Sequence, residues 1–387
     1  MRFLWAAVLI VTWVAANPAS AQVAKEPTQR FLDWDKNKDG KLTKDELPAA
    51  LQANFEKVDL NKDGSISPEE DAKVPGGRLD GVKVDRDVPY AADKNPRHTL
   101  DLYRPKYPKS KKMPVIAFIH GGGWQRGQKT GGGRFVIPFV TSQQFVGVSI
   151  GYRLSGEAKW PAQLHDCKAA IRWLKANAER LNIDPNRIAV WGTSAGGHLA
   201  SMLGVTGDAD SYLEGLVGKH TKQNSKVKCV IDWFGPSELL RMNDFPSDIN
   251  HDAKDSPESK LIGGPIQTLK AITRQASPTS HITKGDAPVL IMHGDKDLLV
   301  PFDQSVRFDK ALKAAGVGST LIKIEGAGHG VFAHPEVSIR IRSFLERHLL
   351  DRKSVDVSNE PIVLPKPKPK QAKTASGSRL LRFLRLT

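Results

Sequence analysis

Hydrophobic and polar positions divide the chain into segments of two periods. Residues 113–119 (Met-Pro-Val-Ile-Ala-Phe-Ile) form an unbroken apolar run, and 145–150, 227–234 and 288–292 are nearly as apolar. Short β-prone runs of this kind predict strands buried on both faces of a sheet. Residues 97–103 alternate, as an early strand with one polar face does, and 320–324 supplies a late strand. Between the runs the period changes. Ala170, Trp173, Leu174, Ala178 and Leu181 fall at helical spacing within 166–181, and helices are expected over 303–315 and 335–349. Strands alternating with helices imply βαβ units, hence a mostly parallel central sheet flanked by helices. Residues 235–285 are irregular and rich in Pro, Ser, Asp and Lys, and they read as an insertion.

One stretch organises the rest. Residues 187–200 read Arg-Ile-Ala-Val-Trp-Gly-Thr-Ser-Ala-Gly-Gly-His-Leu-Ala, an apolar run that stops at Gly192 and gives way to small residues at helical spacing. The Gly-x-Ser-x-Gly between them predicts a sharp strand–turn–helix elbow with Ser194 at its tip. Gly192 and Gly196 remove the side chains that would collide as strand and helix close. Ala195 would open the helix, with its N–H where unpaired donors and the helix dipole favour an anion.

A serine hydroxyl is a poor nucleophile until a histidine, oriented by a carboxylate, takes its proton. After the run at 288–292 the chain reads His-Gly-Asp-Lys-Asp-Leu-Leu-Val-Pro, which offers Asp295 and Asp297 as the acid. Beyond 320–324 comes Glu-Gly-Ala-Gly-His-Gly, where small neighbours let the imidazole of His329 reach the serine; His334 is a lesser candidate. The developing oxyanion needs preorganised donors. His120-Gly121-Gly122-Gly123-Trp124 follows a buried run and offers the N–H groups of Gly122 and Gly123, beside that of Ala195. Trp124 and Trp233 are candidates either for the pocket wall or for the core.

In this order, His-Gly-Gly-Gly-Trp, Gly-Thr-Ser-Ala-Gly-Gly-His, His-Gly-x-x-Asp-x-x-Val-Pro and Gly-x-Gly-His-Gly resemble the hormone-sensitive-lipase-like α/β-hydrolases. They are similar above all to the secreted acetylxylan and feruloyl esterases. The resemblance covers roughly residues 80–350. It implies an α/β-hydrolase fold and an ester bond as target, with Ser194 as nucleophile, His329 as base and Asp297 rather than Asp295 as acid. It also implies that 235–285 caps the site and that an acetylated or feruloylated polysaccharide is the substrate. Small-molecule or lipid esters are the first alternative. A prolyl-oligopeptidase-type serine peptidase is another, although such enzymes carry a large propeller or cap that this chain is too short to hold.

The resemblance does not extend to the front of the chain. Two loops there, Asp35 to Glu46 and Asp59 to Glu70, start 24 residues apart and each meets the EF-hand pattern of oxygen ligands with Gly at position 6 and Glu at position 12. The ligands would be Asp35, Asn37, Asp39, the Lys41 carbonyl, Thr43 and Glu46, then Asp59, Asn61, Asp63, the Ser65 carbonyl, Ser67 and Glu70. Leu42 and Ile66 are expected to pair between the loops, and Leu51, Phe55 and Val58 to form the apolar face of a short helix joining them. Structural Ca2+ is the expected cofactor, with none for catalysis. A calcium-dependent binding protein with an inactive hydrolase domain is the remaining alternative.

Hydrophobic residues make up 40% and charged residues 26%, which fits a globular chain with a core. The net charge of +15 invites a nucleic-acid partner, but the last 37 residues alone hold nine Lys/Arg against three Asp/Glu. No basic patch interleaved with aromatics is present, so none is expected. Arg2, the apolar 3–16 and Ala19-Ser20-Ala21 read as a signal peptide cut after Ala21, placing the mature protein outside the cell or in the periplasm, with no transmembrane segment. Cys167 and Cys229, the only cysteines, could form one disulfide, but one reads as helical and the other as lying in a strand, so buried free thiols are the expectation. The expected organisation is 1–21 signal, 26–74 EF-hand pair, a linker at 74–77, 80–350 hydrolase domain, and 351–387 a basic, Pro/Lys-rich disordered tail, whose end (378–387) has an amphipathic pattern.

Overall fold

The computed structural model describes residues 31, 34–47, 52, 55–71, 81–207 and 211–365. The expected signal segment, Leu51, the 74–77 linker and the tail beyond 365 lie outside the described residues. The chain divides into two compact units, Met1–Asp80 and Gly81–Thr387.

In the first unit the two loops fold alike. Lys38 and Gly40 take positive φ (60° and 78°), and so do Lys62 and Gly64 (58° and 83°). Leu42 and Ile66 exchange both backbone hydrogen bonds (2.9 and 2.8 Å) and are buried with Phe31, Leu47 and Phe55. Short helices Phe55–Val58 and Pro68–Asp71 are the regular elements described there. So few apolar residues give little core, which makes the loop bridge the main organiser of the unit.

The second unit is built on one sheet. Its strands are β1 (Val82–Pro89), β2 (Thr99–Pro105), β3 (Met113–Ile119), β4 (Val146–Ile150), β5 (Ile183–Thr193), β6 (Cys229–Trp233), β7 (Val289–Gly294), β8 (Ser319–Glu325) and β9 (Ile362–Val363). The order is β1-β2-β4-β3-β5-β6-β7-β8-β9. β1–β2 and β2–β4 pair antiparallel, and every other pairing is parallel. β3, β4, β6 and β7 are buried along their whole length, as strands covered by helices on both sides must be.

Alternate residues of these strands enter two separate cores. Val115, Ala117, Val190 and Ile291 pack with Ile171 of α2 (Ala162–Ala176), Leu199 of α3 (Ala195–Val205) and Phe308 of α5 (Asp303–Ala314). Ile116, Phe118, Trp191 and Met292 pack with Phe135 of α1 (Gly133–Val140) and Phe344 of α6 (Pro335–Leu349). In the 235–285 insertion the regular pieces include α4 (Pro257–Ile262) and a helix at Lys270–Gln275.

Three elements differ from the sequence expectation. β1 is not evident in the sequence because four of its eight residues are charged and half are exposed; it sits at the sheet edge, with one side unpaired. α1 reads Gly-Arg-Phe-Val-Ile-Pro-Phe-Val, an apolar run without helical signature, yet it is a helix with Pro138 inside. The segment from 351, expected to be a disordered tail, is described as far as 365 and carries a strand; residues beyond 365 lie outside the described residues. Ile362 is buried and pairs with Ile324, so Ile362-Val363 extends the sheet and the Pro/Lys run starts after it. Cys167 and Cys229 are both buried and unjoined, as expected, and burial pushes the Cys229 thiol up, away from thiolate reactivity. Among the described residues no helix is long and apolar enough to cross a membrane.

Candidate active site

β5 ends at Thr193 and α3 starts at Ala195, so Ser194 alone makes the turn, with φ 54° and ψ −123°. L-residues rarely adopt this conformation, and the fold must hold it. The Ser194 N–H donates to Trp233 O (2.8 Å) and its carbonyl accepts from His198 N (3.0 Å). A Cβ on Gly192 would lie 2.0 Å from Gly196 O, and one on Gly196 would lie 2.1 Å from Ile119 O. Only glycine fits either position.

The candidate acid and base, Asp297 and His329, sit on the loops after β7 and β8. His329 Nδ1 donates to Asp297 Oδ2 at 2.7 Å, which leaves Nε2 free to accept a proton. The ring of Phe234 lies against His329, centroids 4.5 Å apart. Asp297 accepts three further hydrogen bonds: Leu299 N (2.8 Å) and Val300 N (2.9 Å) to Oδ1, and His293 Nε2 (3.1 Å) to Oδ2. Burial opposes the charge, but the bonds from His293 and His329 outweigh it and hold the carboxyl well below the usual carboxylate range.

Sequence spacing does not reveal His293. Its Nε2–H is shared between Asp297 and Val300 O (2.9 Å), and its Nδ1 lies 2.7 Å from Ser305 Oγ. It is a second clamp on the carboxylate. Asp295 is turned elsewhere, accepting from Gly326 N (2.8 Å), and His334 caps α6 by accepting from Glu336 N. Neither competes for the site.

Ser194, Ala195, Gly122, Gly123 and His329 line one cavity of about 660 Å3. Among the described residues no hydrogen bond joins Ser194 Oγ to His329, a contact that commonly closes only on substrate. Gly122 and Gly123 take positive φ (116° and 59°), and the Gly122 carbonyl turns back to accept from Gln125 N and Arg126 N. A Cβ on Gly121 would lie 2.7 Å from Thr193 O, so this loop packs directly on the elbow. Trp124 lines the cavity while its Nε1 donates to His198 Nδ1 (3.3 Å); Trp233 belongs to the core. Burial pushes His120 and His198 each down to about 4, so both stay neutral near pH 7. Pro236, Ile249, Pro257 and Glu258 of the insertion form part of the cavity wall.

The family that this geometry belongs to follows from its extent along the chain. The BD-FAE family model matches residues 100–312, more than half of the sequence and every strand from β2 to β7. This chain belongs to the BD-FAE family of α/β-hydrolases. Residues 29–48 and 51–70 separately match the EF hand model. Esterase LipC of Mycobacterium tuberculosis is 33% identical over 251 residues, covering 63% of this chain and 59% of LipC. The chain spans little more than half the length of LipC and of the mycobacterial relatives LipM and LipQ. Among solved structures, a truncated carbohydrate esterase from gut microbiota is 32% identical with TM-score 0.64, over 69% of this chain and 96% of that one. A bifunctional GH43-CE protein of Bacteroides eggerthii is 34% identical with TM-score 0.64, over 68% of this chain and 38% of its own. The BD-FAE match ends before His329, so the base rests on geometry alone.

In the EF-hand loops the acidic ligands fold onto their own backbone. Asp35 accepts from Asp39 N (3.2 Å) and Gly40 N (3.0 Å), and Glu46 accepts from Lys36 N (3.2 Å) and Thr43 N (2.9 Å). Asp59 and Glu70 repeat the pattern with Asp63 N, Gly64 N, Leu60 N and Ser67 N. Among the described residues no three His, Cys, Asp or Glu side chains gather as a cation site. The side chains at the EF-hand positions of each loop offer hard oxygens, the chemistry Ca2+ takes.

Proposed function

We propose that this BD-FAE member is a serine carboxylesterase that works through Ser194, His329 and Asp297. The observation that carries it is a carboxylate-held imidazole with free Nε2, lining one cavity with a serine in a strained elbow. Ser194 Oγ attacks the ester carbonyl carbon while His329 Nε2 takes its proton. The carbonyl oxygen, now anionic, rests on the N–H groups of Gly122, Gly123 and Ala195. Collapse breaks the bond to the alcohol, which leaves with the proton from His329. Water, deprotonated by the same imidazole, then releases the acid and restores the serine.

The substrate is an ester on a polysaccharide, an acetyl or feruloyl group. The carbohydrate-esterase description of the gut-microbiota neighbour supports this. A lipid or small apolar ester is the second reading. It is favoured by an open groove of about 400 Å3 beside the acid loop, walled by Phe245, Pro246, Leu298 and Phe302. Ranking kcat/KM across p-nitrophenyl acetate, longer acyl esters and acetylated xylan separates the two. Preference rising with acyl length would overturn the polysaccharide reading. The enzyme is exported, with Gln22 as its mature start, which N-terminal sequencing of the secreted protein tests. Its two EF-hand loops bind Ca2+ for stability rather than chemistry.

A further inference from the structure

We infer that Glu258 is an alcohol-side subsite that accepts a hydrogen bond from a substrate hydroxyl, which makes a sugar the alcohol this cavity selects. The inference rests on the serine-esterase reading and on the polysaccharide reading above, and deepens both.

Glu258 stands in the first turn of α4. Ser256 caps that helix, accepting from Ser259 N (3.0 Å) and donating to His251 O (2.8 Å), so the turn is pinned at both ends. Pro257 lies 3.4 Å from where a Cβ on Gly123 would stand. The residue beside Glu258 is therefore packed on the glycine loop that receives the oxyanion, and Glu258 itself lines the same cavity as Ser194.

Its side chain is only 4% exposed. Among the described residues its carboxylate accepts no hydrogen bond; Oε2 lies 3.0 Å from Nδ1 of the buried His251, but out of line for one. The far side of His251 is fixed. Ser247 Oγ donates to Leu298 O (2.8 Å), which leaves it to accept from His251 Nε2 (3.1 Å). His251 Nδ1 stands beside Oε2, and among the described residues no donor reaches Oε1, the oxygen left for a ligand.

A buried carboxylate with one oxygen lacking a donor is costly, and a ligand that brings a donor removes the cost. Sugars carry hydroxyls beside the ester oxygen, and O–H donation to a carboxylate is a strong, short bond. Alkyl and aryl alcohols have none to offer, so they leave Glu258 unpaired. A site built to bond a hydroxyl discriminates against analogues that lack it.

The test compares Glu258→Gln with wild type on acetylated xylo-oligosaccharides and on p-nitrophenyl acetate. The amide keeps the shape but loses the charge. The ratio of kcat/KM, sugar ester over aryl ester, is expected to fall about 10- to 100-fold, the worth of one hydrogen bond to a charged group. An unchanged ratio, even with both rates lowered, overturns the role of Glu258 and leaves the polysaccharide reading standing. Wild type that cleaves the aryl ester but no sugar ester overturns the polysaccharide reading and this inference together. Wild type inactive on both overturns the esterase reading itself. If the variant does not fold, competition decides. Xylotriose is expected to inhibit wild-type hydrolysis of p-nitrophenyl acetate competitively, and no inhibition overturns the subsite.

Discussion

Asp297→Asn changes one carboxylate oxygen to an amide NH2, and the surrounding donors dictate the outcome. Oδ1 of Asp297 accepts from the fixed amides of Leu299 and Val300, whereas Oδ2 faces the rings of His293 and His329. An asparagine keeps its carbonyl toward the two amides, because the flipped amide would set NH2 against two N–H groups and forfeit about 1 kcal/mol or more for each bond. The NH2 then points at His329 Nδ1, which must become an acceptor. Its proton moves to Nε2, the nitrogen that has to receive the proton of Ser194. The base is lost although no atom of the site has moved, and kcat is expected to drop about 10^4-fold, as such a tautomer reversal does in a serine protease triad. That is about 5 kcal/mol of transition-state stabilisation, at 1.36 kcal/mol per decade. The assay is kcat and kcat/KM on p-nitrophenyl acetate, with circular dichroism to show that the variant is folded. A folded variant retaining more than a tenth of wild-type kcat would refute the role given to Asp297.

Further expectations follow from the same geometry. The folded Asp297 carboxyl lies below its unfolded value of about 4, so its stabilisation is present above that pH and is lost as the pH falls below it; urea unfolding of wild type and Asp297→Asn at pH 7 and pH 3 should show a smaller stability gap at the lower pH, and an equal gap contradicts the linkage. Gly196→Ala drives a methyl into Ile119 O and should lower Tm by many degrees or yield no folded protein, whereas Gly131→Ala, which meets open space, should leave Tm within a degree or two; equal Tm for both variants refutes the account of the elbow. Chelation of Ca2+ should lower the first melting transition in calorimetry while kcat on p-nitrophenyl acetate stays within twofold; an unchanged thermogram removes the structural calcium.

The sequence carried the central elements because they are buried on both faces. Runs such as Met113–Ile119 have no polar face to confuse the period, and the glycines of the elbow mark a clash that backbone geometry alone makes unavoidable. Edges were less legible. β1 is charged because only one side of it is paired, and β9 is two residues long, below what any periodicity reveals. His329 was legible as the candidate base because it follows a late strand among small residues, whereas strand order offered Asp295 as well as Asp297 and only the family resemblance chose between them. His293 was overlooked because its role is to hold Asp297, which no spacing rule shows. Glu258 lies in an insertion without period, where only the fold reveals which side chain reaches the cavity.

The most direct test of the account is to trap the acyl-enzyme. Wild type and Ser194→Ala are mixed with p-nitrophenyl acetate, quenched in acid within the first turnover and measured by intact mass and peptide mapping. The account predicts one acetyl group, on the peptide containing Ser194, in wild type only. An acetyl group elsewhere, or hydrolysis that survives Ser194→Ala, would contradict it.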